Sequence, residues 1–488
     1  MSAGPVSWTF TPPARSTRPR RLGDRWLAVL GVVLVGYALF GRGFAYLGVP
    51  PLFIGEIVLA TGLVVVLTAI RLPRLLPTIP MKLLAVLMLW VVLRTVPYLG
   101  SCGLDAVRDA MLAGYAVFAI LVAALLLDRP ERLVEAFRRY RVLAVGVLAV
   151  GWWLYIVYRI RPDLFPAWPW ADGVAVVANK PGDLLVHLAG ITAFFVLGMR
   201  RASPLTLALL VVATGALMIG NRGGMVGYLL GVSALAVLKP ARASFGRLGF
   251  AGLFVVVLAF AVDTGGLAIN EGNRSLAPEQ LVENIKSVFG LSDERHLNST
   301  AEWRTQWWGE IVDYTFAGPY FADGKGFGVN LATADGFQVD ERESLRSPHN
   351  SHLTFLARGG VPAFVLWLLV QGLWAGYVAA AWWRARLAGQ EGWMSVFAFL
   401  TVYWVAAHVN ASFDVYLEGP MGAILFWSVY GAGIAATVLQ RTHPHLVDDL
   451  VHLGDRAAPE ASLPEAGTAV RVAPRRAPAT TWGAAPTA

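Results

Sequence analysis

A stretch of fifteen to twenty apolar residues has to be buried in a core or a bilayer, and this chain has about twelve of them. They lie near 26–40, 52–70, 82–99, 109–127, 142–159, 183–199, 204–220, 223–238, 248–264, 361–383, 393–409 and 421–440. No water-soluble core of a 488-residue chain absorbs that many, and a composition of 56% hydrophobic and 15% charged residues agrees. Hydrocarbon leaves backbone groups without water, so each run is expected to be a helix that satisfies its own hydrogen bonds. The first run follows a basic head but is longer than a signal-peptide core, and no small-residue cleavage site follows it, so it is expected to remain in place.

Lysine and arginine placement sets the expected orientation. Arg15, Arg18, Arg20, Arg21 and Arg25 precede the first run. The bias returns at every second connection: Arg71, Arg74 and Lys82; Arg129 to Arg141; Arg200 and Arg201; Lys239, Arg242 and Arg247; Arg384 and Arg386. Both termini are therefore expected in the cytoplasm of a plasma-membrane protein. The net charge of +8 is accounted for by this bias and by anionic lipid headgroups, with no nucleic-acid partner required. The fold class is then all-α and polytopic, with about twelve transmembrane helices and one large, partly helical extracytoplasmic loop. Its parts are a basic cytoplasmic N-terminus (1–25), helices one to nine (26–264), the loop (265–350), a lead-in helix with the last three spans (351–440), and a disordered Ala/Pro/Arg-rich tail (441–488). Cys102, the only cysteine, has no internal partner for a disulfide.

Three places in this frame carry chemistry. Asn221-Arg222-Gly223-Gly224 stands at an outer helix end, where the charge bias depletes arginine. Gly224, Gly227 and Gly231 share nearly one face, as close helix packing requires. In the loop, Ser299-Thr300-Ala301-Glu302 reads as a capping box that starts a helix. Trp303, Trp307, Ile311 and Tyr314 form its apolar stripe, with Arg304 beside the stripe and Trp308 one turn on. Anchoring at the membrane interface is the simplest reading of those tryptophans. Asp323-Gly324-Lys325-Gly326-Phe327-Gly328 lacks the spacing of a nucleotide loop and is expected to let backbone pass close to a neighbour or to substrate. Finally Pro348-His349-Asn350 precedes the segment 350–358, read as a lead-in helix that Gly359-Gly360 breaks. A span starting at Asn350 would put Arg358 about 12 Å deep, costing about 2.5 kcal/mol or more without a partner such as Asp414 or Glu418. A start at Val361 leaves Arg358 at the interface. His352 shares a face with His349, but no third metal ligand is apparent and no metal or cofactor is expected.

Taken together, these residues resemble the O-antigen ligase and O-antigen polymerase family of membrane glycosyltransferases. The resemblance runs from Leu205 to Trp383. It rests on Asn221-Arg222-Gly223, on Trp303-Arg304 upstream of Gly318-Pro319 and Gly326-Phe327-Gly328, and on His349-Asn350 nine residues before Gly360-Val361-Pro362. It implies transfer of a glycan from a polyprenyl-diphosphate carrier to a hydroxyl of a glycan or glycolipid acceptor. Arg222 and Arg304 match the family arginines that bind the diphosphate, and His349 matches the histidine thought to activate the acceptor. Asn221, Gly223, Trp303, Trp308, Asn350 and Arg358 are the further candidates for substrate contact. Arg358 and Ala363 stand where the family usually has an acidic residue and commonly a glycine.

The chemistry is reasonable on general grounds. A diphosphate leaves well if its growing charge is met, and a guanidinium stays charged and can contact two phosphate oxygens. Each charge-assisted bond contributes about 1.5–3 kcal/mol, and a histidine base about 10²–10⁴-fold. Two arginines as the electrophilic clamp make a metal unnecessary, and in-line attack inverts the anomeric centre. Ligase and polymerase share this donor chemistry. A polyprenyl-phosphate-sugar enzyme would need acidic residues in the first outer loop, yet 41–51 has none and only Glu56 follows. A glycan transporter or flippase would route substrate past Glu56, Arg94, Asp183 and His408, and these lie near outer helix ends, where pairing or solvation explains them.

Overall fold

The structure, a computed structural model, describes residues 22–69, 78–171, 173–241 and 295–452, with positions 243, 245–246, 269–271 and 274–276 between them. The expected span 248–264, most of the amphipathic stretch 276–289, the arginines from Arg15 to Arg21 and most of the tail lie outside these residues.

Helices dominate: α1 (Leu22–Phe40), α2 (Ile54–Ala69), α3 (Ile79–Thr95), α4 (Leu104–Gly114), α5 (Val117–Asp128), α6 (Glu131–Ile160) and α7 (Pro181–Val196). Then follow α8 (Pro204–Gly220), α9 (Arg222–Ser233), α10 (Arg295–Val312), α11 (Leu331–Asp335), α12 (Ser351–Leu387), α13 (Glu391–Ala411) and α14 (Pro420–Thr442). Among the described residues seven helical segments are long and apolar enough to cross a membrane, and four shorter apolar helices, 54–68, 181–196, 204–220 and 222–238, accompany them. Each coincides with an expected run. Among the described residues the strands are two small antiparallel ribbons, 48–49 with 52–53 and 269–271 with 274–276.

Local chemistry sets the helix starts. Pro80, Pro181, Pro204 and Pro420 occupy first-turn positions where a missing N–H costs nothing. Ser203 caps α8, its Oγ accepting from Thr206 N at 3.1 Å. Tertiary packing does the rest. The expected small-residue face of α9 lies on α13, where a Cβ at Gly227 would come within 2.9 Å of Ala406 O.

Connectivity and cross-ties gather alternate helix ends at one end of the bundle. There Arg42 N donates to Ala178 O at 3.1 Å, and Tyr115 Oη donates to Glu56 Oε1 at 2.7 Å. Arg94 pairs with Asp323 at 3.2 Å. The opposite end holds the basic connections: Arg132 meets Asp24 at 2.6 Å, and Arg200 donates to Arg141 O.

The described part of the long connection folds onto the first of these ends, and here three expectations are corrected. Helix α10 begins at Arg295, so the Ser299–Glu302 box lies inside a helix rather than at its start. The tryptophan stripe is a core, not an interfacial anchor: Trp307, Ile311 and Tyr314 pack with Leu331, Leu356 and Val361, and Trp307 is fully buried. Phe337 stacks on Trp307 at 5.3 Å and meets Trp303 at 6.0 Å. Arg358 is not at an interface either. It is 1% exposed, and its partner is neither Asp414 nor Glu418 but Asp109 of α4, at 2.9 Å. The guanidinium also donates to Val329 O at 2.8 Å. Arg346 meets the same Asp109 at 3.0 Å and Asp105 at 3.1 Å. Removing Asp109 would leave the buried Arg358 charge without its ion-pair partner, and that loss typically costs about 3–5 kcal/mol.

Gly360 breaks α12 with φ 71° and ψ −175°, so the lead-in turns 351–359 are separated from the long run that follows. That region of backbone space is essentially closed to residues with a Cβ.

Candidate active site

Asn221 ends α8 and caps α9, its Oδ1 accepting from Gly224 N at 2.6 Å. The cap leaves Arg222 as the first helical residue, at the positive end of the α9 dipole. Gly223 is needed for contact: a Cβ there would stand 2.5 Å from the Phe413 Cβ. Phe413 lies in the short connection between α13 and α14, and it reaches a second arginine as well. Arg304 of α10 donates its Nη1 to Phe413 O at 3.2 Å. The Arg304 Nε is buried with no hydrogen-bond partner. Burial lowers the Arg304 pKa from its ordinary value, and the charge of Asp414 opposes that shift.

His349 stands on the other side of the same connection. Its Nδ1 is 3.7 Å from Asp414 Oδ1, close but beyond hydrogen-bond length. Its backbone has φ 52°, a left-handed conformation that few residues with a Cβ adopt. Neighbours hold it there. Trp308 Nε1 donates to Pro348 O at 2.9 Å, and Asn350 Oδ1 caps α12 by accepting from His352 N and Leu353 N, both at 3.1 Å. Ser351 Oγ then donates to Asp414 O at 3.1 Å. Trp308 and Asn350 therefore fix the loop that carries the imidazole, and Trp303 packs into the core beneath it.

The residue that reasoning from sequence missed is Asp414, together with its partner Lys180. Lys180, just before α7, donates to Asp414 Oδ1 at 2.8 Å and to Oδ2 at 3.0 Å. Burial favours the protonated Asp414 carboxyl, but His349, Lys180 and the Val415 N–H outweigh it and hold the group below the usual carboxylate range. Lys180 is raised: burial lowers it, and Asp414 and Asp183 more than compensate. Nothing local marks Asp414, which is one of two acids in the eight-residue connection 412–419.

His352 is engaged elsewhere. Trp367 Nε1 donates to its Nδ1 at 3.1 Å, so the proton sits on Nε2, which meets His408 O at 3.0 Å. Among the described residues no three His, Cys, Asp or Glu side chains form a metal-holding group. The glycine-rich turn lines up behind the site: Gly326 has φ 91°, and a Cβ there would stand 2.0 Å from the Tyr98 ring. Its close neighbour is thus protein, with Lys325 paired to Asp335.

Fold and site define a multi-pass helical membrane protein with cationic side chains gathered at one end of its helices. Residues 207–368 match the family model described as O-antigen ligase. The match covers about a third of the chain and contains Arg222, Arg304 and His349. Families of this kind are glycosyltransferase-like ligases and polymerases acting on lipid-linked glycans in a membrane. No curated protein matches the chain.

Proposed function

We propose that this protein is an O-antigen ligase-like glycosyltransferase, moving a glycan from a polyprenyl-diphosphate carrier to an acceptor hydroxyl on the extracytoplasmic face of the plasma membrane. One observation carries the reading: the Phe413–Asp414 connection touches the first turn of the Arg222 helix, accepts from Arg304 and faces His349. Three elements distant in sequence thus meet at a single point. Both arginines bind the diphosphate, and α9 adds the field of its N-terminus.

The step balances simply. The acceptor oxygen bonds to the anomeric carbon as the carbon–oxygen bond to the diphosphate breaks, and that electron pair leaves with the diphosphate. The acceptor proton passes to His349 Nε2, because Nδ1 faces Asp414. Attack from the side opposite the diphosphate inverts the anomeric configuration. Phosphate charge is met by guanidinium groups, so the reaction is proposed to need no metal. Asp414 acts as a positioning residue for the imidazole, in the manner of a carboxylate orienting a histidine base.

The test is analysis of surface glycans and carrier-linked intermediates in the native host. Arg222→Ala, Arg304→Ala and His349→Ala should each lower transfer by at least about 10²-fold at normal protein levels. Accumulated long carrier-linked chains identify a ligase, and accumulated single repeat units a polymerase. Wild-type glycans in all three variants would overturn the assignment, as would recovery of the donor's anomeric configuration in the product.

A further inference from the structure

At the end of the bundle opposite the site, a crevice of about 510 Å³ opens between α12 and α14. Leu373, Gly376, Tyr377 and Arg384 come from α12, where this spacing puts them along one face. Val438 and Arg441 come from α14. A Cβ at Gly376 would meet nothing within 4 Å, so the wall there is open.

The two arginines are what make this more than a gap. Arg384 and Arg441 line the same crevice, partial burial disfavours the Arg384 charge, and the like charge of Arg441 disfavours it further. Arg384 Nε is buried with no hydrogen-bond partner. Neither guanidinium has an acidic partner among the described residues. Two cations held side by side at the edge of an apolar slot repel, and an anion between them turns that cost into two attractions. Leu373, Gly376, Ala380 and Val438 give the rest of the slot an apolar strip that suits hydrocarbon, with Thr78, Thr437 and Thr442 also in its lining. One molecule supplies both halves: a lipid whose headgroup carries a phosphate and a net negative charge.

We propose that this crevice binds an anionic glycerophospholipid, its phosphate between Arg384 and Arg441 and an acyl chain along Gly376. The site is separate from the transfer chemistry and stands whether or not that chemistry is as proposed. Arg386 provides a control, since its guanidinium stacks over Trp382 at 5.5 Å and Trp383 at 5.7 Å.

Native mass spectrometry of the purified full-length protein tests it, with phosphatidylglycerol or phosphatidylcholine added to the detergent. Phosphatidylglycerol should stay bound preferentially. Retention should fall about fivefold for Arg384→Gln and about fivefold for Arg441→Gln, with Arg386→Gln like wild type. Gly376→Leu keeps both charges but fills the slot, and it should also lose the lipid. Equal retention of the two lipids, or phosphatidylglycerol binding unchanged in the Arg384→Gln/Arg441→Gln variant, would overturn the proposal. So would unchanged binding in Gly376→Leu. Full displacement by millimolar inorganic phosphate would likewise overturn it, since the occupant would then be a free anion.

Discussion

The Asp414 carboxylate faces Lys180 through two short bonds and His349 at 3.7 Å, and it does so while nearly buried. Its folded pKa lies below the ordinary carboxylate value, so its share of stability is complete above that value, about 3.9. That share is lost as pH falls through the lower folded value. Acid unfolding of the detergent-solubilised protein should therefore steepen below about pH 4, and Asp414→Asn should flatten it. The same substitution separates positioning from packing. If Asp414 orients the imidazole, Asp414→Asn lowers kcat about tenfold or more with KM little changed, and an equal loss in both would sink that role. His349 offers the complementary case. Its left-handed backbone costs about 1–2 kcal/mol, and a glycine there relieves this while losing about 0.5–1 kcal/mol to chain entropy. His349→Gly should thus keep near-wild-type thermal stability while transfer collapses. A large drop in Tm would mean that the side chain is chiefly structural.

Among the elements, the apolar helices were legible because a bilayer-length run of Leu, Val and Ala admits few other fates. The break in α12 was legible too, since Gly359-Gly360 is a strong local signal. What local pattern could not reveal was partnership across the chain. Arg358 and Asp109 are 249 positions apart, and nothing near either one marks the other. Helix α10 shows a related limit: a capping-box sequence is also an acceptable helix interior, and the residues before it decided the matter. The tryptophan stripe was legible as a stripe, but only the fold of 331–345 over it made it a core. These elements yield firm expectations. Gly360→Ala would force a Cβ to within 2.6 Å of Phe321 O in a backbone conformation closed to alanine. It should cost about 2–3 kcal/mol, read as a lower Tm or as loss of folded protein. A double-mutant cycle between Arg358→Met and Asp109→Leu should show coupling of about 1–3 kcal/mol; simple additivity would contradict a shared network.

For the whole molecule, alternation of basic and neutral helix ends is the large-scale pattern, and the candidate site lies at the poorer end. The side of the membrane this end faces is a prediction of the lysine and arginine bias. In a Cys102→Ser background, Glu341→Cys in whole cells should react with a membrane-impermeant thiol reagent, and Ala388→Cys should react only after lysis. The reverse pattern would place the site in the cytoplasm and overturn the expected orientation.

The shared grip of Asp109 on Arg346 and Arg358 has a bearing on traffic through this protein. To lift the covering segment away, the Arg346 guanidinium would have to part from Asp105 and from the nearly buried Asp109, which Arg358 of α12 also holds. Such an excursion is disfavoured by about a hundredfold or more. A roof riveted in that way does not hinge, so under the proposed function a bulky saccharide would slide in beneath its eaves, the carrier's tail still trailing in the surrounding lipid.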